Sequence, residues 1–325
     1  MDIIIDKRIE LLAIVQTLDN YWDNLNIRYT SEKLFQCKYK ENIWDYFGKY
    51  KNHDTVRLYN KLCNNVQQIN AFIELVLCYS YPPNLDNMAN LQNNVGDIFE
   101  PEFPFEIFID GLKKFYRETN FELFFEKNQK EYKKLLSDYG YKEKYISIVD
   151  NYLGTETKNY TVIISALLLG NFGIKIQTNK NITLNYSVLS PYGYKDNKYV
   201  FGSKEYIIET LWHETSHLTI NDLTKKYINQ FDINEKIIPE NFVKNFYVSI
   251  EAIVNEYIIR TITIRLFEIY YDENTAGQFM QYHIQKGFTE IESIKNYIVK
   301  NCEKEKKLIK DEKYKELMDY VINKI

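Results

Sequence analysis

Apolar residues recur at three- and four-residue spacing over most of the first 150 positions. Ile9, Leu12, Ile14, Val15 and Leu18 trace one helical stripe, and Val56, Leu58, Leu62 and Val66 another. The pattern predicts helices from residue 5 to about 150, interrupted at Tyr81-Pro82-Pro83-Asn84 and at Pro101-Glu102-Phe103-Pro104, where proline disfavours continuation. Phe105 to Tyr116 and Phe121 to Leu136 read as two further amphipathic helices.

Near residue 157 the pattern changes. Tyr160 to Leu169 is β-branched and apolar, ends at Gly170-Asn171-Phe172-Gly173, and predicts a buried strand; Ile174 to Gln177 and Ile182 to Leu189 predict two shorter ones. A small sheet of about three or four strands is expected. After Gly202 helical spacing returns, with Ser203 as N-cap and Tyr206, Ile207, Leu211 and Leu218 as the apolar stripe. Phe242, Phe246, Ile250, Ile253, Tyr257 and Ile264 predict a long helix over 241–268, and helices near 276–286, 289–302 and 310–324 complete the chain.

The expected organisation is therefore a helical N-terminal region, 1–156, followed by 157–325. The second part comprises the small sheet (157–202), a helix over 203–220, the helix over 241–268 and the C-terminal helices. The fold class is α+β, predominantly helical.

Composition narrows the function. A formal net charge of −4 gives no electrostatic reason to expect nucleic acid as a partner. No apolar run reaches the roughly 18 residues needed to cross a bilayer, so no integral membrane segment is expected. The N-terminus Met1-Asp2-Ile3-Ile4-Ile5-Asp6 lacks the basic and apolar regions of a signal peptide, so the chain as it stands reads as cytoplasmic, and as secreted only with an export signal removed. Cys37, Cys63, Cys78 and Cys302 show no CxxC spacing and read as free thiols. Oligomeric state is not legible.

The chemistry concentrates in His213-Glu214-Thr215-Ser216-His217, inside the helix over 203–220. Two histidines four residues apart sit one turn apart on one face, about 6 Å along the axis, which lets both imidazoles reach one tetrahedral Zn²⁺. Glu214, about 100° around the helix, is placed to act as a general base on a zinc-bound water. A catalytic zinc site takes a third protein ligand. The metzincin extension is absent, since Ile220 and Leu223 stand where its Gly and His would be. The remaining source is a carboxylate farther along, Glu256 or Glu251, which lie about 140° apart in direction so that only one faces the ion. Asn221, one turn after His217, and Glu209, one turn before His213, are candidates to orient the imidazoles, and Arg260 to hold the Glu256 carboxylate. His283, Tyr282 and Tyr194 are candidate oxyanion donors, with His283 the one taken forward as catalytic.

Asn255-Glu256 resembles the Asn-Glu pair that carries the third ligand in thermolysin-like and aminopeptidase-type gluzincins, and this resemblance implies Glu256 as the third ligand with Glu251 as the runner-up. Trp212-His-Glu-Thr-Ser-His217 with Asn221, then Glu251-x-x-x-Asn255-Glu256-x-x-x-Arg260 and Lys286-Gly287-Phe288, together resemble a bacterial family of HExxH proteins known only as a domain of unknown function. The similarity extends to Asp54-Thr-Val-Arg-Leu-Tyr-Asn60 and Gly170-Asn171-Phe172-Gly173. It implies a zincin-like fold and a zinc metallopeptidase acting on a peptide or protein substrate. The alternatives are a non-catalytic zinc-containing binding protein and a metallohydrolase of a non-peptide amide. Such a fold would hold substrate along an edge strand, either Phe172–Gln177 or Ile182–Leu189.

Overall fold

A computed structural model describes residues 2–21, 35–64, 66, 68–140, 144–233, 236–244, 247 and 249–325. The chain is mixed α and β, predominantly helical with a small sheet. It forms two compact units, Met1–Tyr141 with Lys158–Gly202, and Lys142–Thr157 with Ser203–Ile325. The sheet therefore groups with the N-terminal helices, whereas the sequence pattern placed it with the histidine helix.

The first unit contains α1 (Lys7–Leu18), α2 (Lys38–Phe47), α3 (Asp54–Cys63), α4 (Ala71–Leu77), α5 (Leu91–Val95), α6 (Phe105–Glu118), α7 (Phe121–Lys127) and α8 (Gln129–Tyr139). The helix expected over Phe121–Leu136 is broken at Asn128. Its amide donates to Phe124 O at 2.9 Å and its Oδ1 accepts from Asn42 at 2.9 Å, so the side chain competes for the groups that would continue the helix.

The sheet runs β1 (Asp2–Ile4), β2 (Tyr160–Ile164), β4 (Thr183–Leu189), β3 (Phe172–Gln177). β1 and β4 pair parallel to β2, and β3 pairs antiparallel to β4. β2 stops five residues short of the predicted end. Its partner ends at Leu189, two residues before Pro191, so beyond the Ile164–Leu189 pair there is no ladder to join. β4 lies inside the sheet and β3 at its edge, where Asn94 bonds both the N–H (2.7 Å) and the C=O (3.0 Å) of Gln177. A hairpin of β5 (Gly193–Lys195) and β6 (Lys198–Val200) turns at Asp196 and Asn197, both at positive φ as a tight two-residue turn requires.

The second unit is built around two long helices, α10 (Lys204–Tyr227) and α12 (Ile250–Tyr270), with α9 (Lys144–Leu153), α11 (Glu240–Lys244), α13 (Glu273–Gln285), α14 (Ile291–Tyr297) and α15 (Lys310–Ile322) about them. A π-turn over Ile298–Cys302 follows α14, where the sequence pattern predicted helix to 302. Ser203 caps α10 by accepting from Tyr206 N at 3.2 Å. α12 begins at Ile250 rather than 241: Ser249 is extended and its hydroxyl accepts from Ala252 N at 3.1 Å, so a new helix starts there. Trp212, fully buried, fastens α10: its ring lies 4.9 Å from that of Phe267, and its Nε1 donates to Tyr145 O at 2.8 Å.

Among the described residues no helix is long and apolar enough to cross a membrane. All four cysteines are free, with Cys37, Cys78 and Cys302 buried.

Candidate metal centre

The middle of α10 buries polar groups that a helix in a protein core ordinarily excludes. Thr215 and Ser216 return their hydroxyls to the carbonyls of Leu211 and Trp212 at 2.7 Å each, which leaves Glu209, His213 and Glu214 to find partners elsewhere. His213 meets Glu256 of α12 and Glu209 meets His283 of α13, and these residues with Glu214 are each less than a tenth exposed.

His213, His217 and Glu256 converge. Their ligand atoms all lie within 4.8 Å of one another. Nε2 of His213 is 3.2 Å from Nε2 of His217; Glu256 Oε2 is 3.6 Å from the first and its Oε1 is 3.4 Å from the second. Nδ1 of His217 lies 3.0 Å from Asn221 Oδ1, so that nitrogen carries a proton and, in the neutral ring, Nε2 is the atom with a lone pair for the cluster. Two imidazole nitrogens and a carboxylate thus meet at one place.

The carboxylate is held from behind. Arg260 Nη2 approaches Glu256 Oε2 to 2.7 Å and donates to Tyr247 OH at 3.1 Å, while its guanidinium lies 4.5 Å from the centre of the Phe288 ring. Its Nη1 is 3.0 Å from His283 Nδ1, and His283 Nε2 is 3.2 Å from Glu209 Oε1. The first of these is a hydrogen bond, whereas the second is a close ion-pair contact: Glu209 Oε1 and His283 Nε2, like Glu256 Oε2, Arg260 Nε and His213 Nδ1, have no aligned hydrogen bond among the described residues.

The electrostatics follow from this packing. Burial favours the neutral form of Glu256, but Arg260 and the two histidines outweigh it and hold the carboxyl well below its usual range. Burial pulls His217 down, yet Glu256, Glu214 and Asn221 lift it to about 9. Glu214 is raised, chiefly by burial, against the opposing pull of His213 and His217.

The structure thus brings together His213, His217, Glu256, Asn221, Arg260, Glu209 and His283. Glu251 stands apart from the cluster; its charge acts on Tyr314, whose hydroxyl it helps to push up. Tyr194 donates to Asn197 at 2.5 Å within the first unit. Tyr282 lines a cavity of about 380 Å³ with Tyr206, Tyr271 and Phe279. Tyr247 and Phe288, which flank Arg260, were not singled out for that role by sequence. Among 29 tyrosines and 19 phenylalanines no spacing marks them.

No curated protein and no solved structure matches the chain. A family match covers residues 1–323, and on that extent the chain belongs to the family described as Domain of unknown function (DUF4932).

Proposed function

We propose that the protein is a zinc-dependent metallopeptidase with a zincin-like, gluzincin-type centre, in which His213, His217 and Glu256 hold one Zn²⁺. The observation that carries the reading is the spacing of the three ligand atoms at 3.2, 3.4 and 3.6 Å. The edge of a tetrahedron with zinc bonds of about 2.05 Å is about 3.3 Å. Charge supports it as well. Among the described residues the buried cluster sets the carboxylates of Glu209, Glu214 and Glu256 against the guanidinium of Arg260, so with both histidines neutral, as ligands must be, a dication balances the two charges left over.

A Zn²⁺ bound there supplies a Lewis acid that lowers the pKa of water and polarises a carbonyl. Glu214, next to His213 on α10, takes the proton of the attacking water on a carboxylate oxygen. It returns that proton to the nitrogen of the departing amine, so the amide C–N bond breaks as the C–O bond forms. His213 and His217 serve as neutral donors, His217 oriented by Asn221. No covalent bond to the chain is needed.

Metal analysis of full-length protein purified without chelator tests the centre. Stoichiometric zinc, lost in His217→Ala, is expected; absence of zinc from the wild type sinks the reading. A peptide-library cleavage profile with and without chelator tests the activity. Zinc without chelator-sensitive cleavage would leave a binding protein on the same fold.

A further inference from the structure

We infer that His283 is a positioning residue that fixes the Glu256 carboxylate through Arg260, an inference that rests on the zinc centre proposed above and assigns His283 no contact with substrate. Arginine has donors only, so the nitrogen it meets at 3.0 Å, His283 Nδ1, is an acceptor. In a neutral imidazole the proton then resides on Nε2, which faces Glu209 Oε1 at 3.2 Å. Nδ1 is held by Arg260, Nε2 lies against the Glu209 carboxylate, and the side chain is 1 % exposed, so the ring has no path to substrate.

The chain of contacts ties three helices to one ion site. Glu209 stands one turn before His213 on α10; His283 is the last-turn residue of α13; Arg260 stands one turn after Glu256 on α12. The guanidinium is fixed on four sides by Glu256, Tyr247, His283 and the Phe288 ring. Without the acceptor at His283 Nδ1, Nη1 loses its partner, and the fork that aims the Glu256 carboxylate at the two histidines is free to turn. Glutamine places an acceptor oxygen and a donor nitrogen about as far apart as the two imidazole nitrogens and can span the same pair; phenylalanine fills the space and offers neither.

The test is zinc affinity of the full chain by competition with a chromophoric chelator, for wild type, His283→Gln and His283→Phe, with circular dichroism to establish folding. His283→Phe is expected to weaken zinc binding about 10- to 100-fold, and His283→Gln to stay within about threefold of wild type. Folded His283→Phe binding zinc as tightly as wild type overturns the positioning role while the zinc centre stands. His283→Gln as weak as His283→Phe also overturns it. A wild type without zinc removes the centre and this role together. Should His283→Phe not fold, long-range proton–nitrogen NMR of the zinc-loaded wild type decides: a proton on Nε2 alone is expected, and a proton on Nδ1 overturns the inference.

Discussion

Arg260 Nη2 lies 2.7 Å from Glu256 Oε2, one turn away on the same helix, with both side chains largely out of water. On a helix surface such a pair contributes a few tenths of a kcal/mol. Here three carboxylates share the core, and in the metal-free protein the guanidinium and the protonated His217 together match the Glu256 anion. Arg260→Gln should destabilise the second unit by about 1.5–3 kcal/mol, because it removes a charge-assisted bond and leaves that buried anion to His217 alone. Chemical denaturation of the metal-free protein measures this, and a loss below 1 kcal/mol would show that the pair is solvated.

Glu214→Gln removes the proposed base and keeps the size and packing of the side chain. The variant should bind zinc with unchanged stoichiometry and lose about 10²–10⁴-fold in chelator-sensitive peptide hydrolysis. Retained activity would take Glu214 out of the mechanism.

The lifted pKa of His217 would couple the proposed zinc to protons. With the group at about 9 in the metal-free site, it is protonated at neutral pH, and a ligating imidazole must be neutral. Zinc binding at pH 7 should therefore expel about one proton, and the apparent affinity should rise about tenfold per pH unit until pH approaches 9 and then level off. Calorimetry in buffers of different ionisation enthalpy counts that proton; no release at pH 7 would contradict the assignment.

A separate pH effect belongs to the first unit. Glu10, fully buried in α1, is pushed up to about 7 mainly by burial, although Ser165 (2.6 Å) and Tyr39 donate to its carboxyl. A folded-state value above the unfolded one means that the group's stabilising contribution is fully present below the unfolded value of 4.5 and is lost as pH rises through about 7. Between pH 4.5 and 8 the loss amounts to about 3 kcal/mol. Glu10→Gln should flatten that part of the profile, gaining on wild type at pH 8 relative to pH 4.5. A constant difference between the two proteins across that range would show that Glu10 does not titrate there.

What the sequence conveys about the site is set by distance along the chain. His213 and His217 are one turn apart, so helix geometry alone puts them on one face, and the same reasoning separates Glu256 from Glu251. Asn221 and Arg260 are each one turn from a partner and are legible for the same reason. Tyr247, Phe288 and the orientation of His283 depend on which helices meet, and periodicity is silent on that. The fold shows the same division. Ser203 announces a helix start because it precedes an apolar stripe. Ser249 does the same work at the head of α12, yet apolar spacing runs through it from Phe242 to Ile264 and hides the start. β1 is three residues long, too short to display a period, and exists through its pairing with β2.

The bond from Trp212 Nε1 to Tyr145 O has a practical corollary for dissecting this protein. The carbonyl belongs to a short stretch, Lys142–Thr157, that leaves the first unit and is followed by that unit's return at Lys158. A piece cut to begin at residue 158 would carry all three proposed ligands but leave a buried indole nitrogen with nothing to donate to. Any minimal version of the proposed zinc centre has to include that excursion of the chain, even though Tyr145 lies 67 residues before Trp212, with β2, β3 and β4 in between.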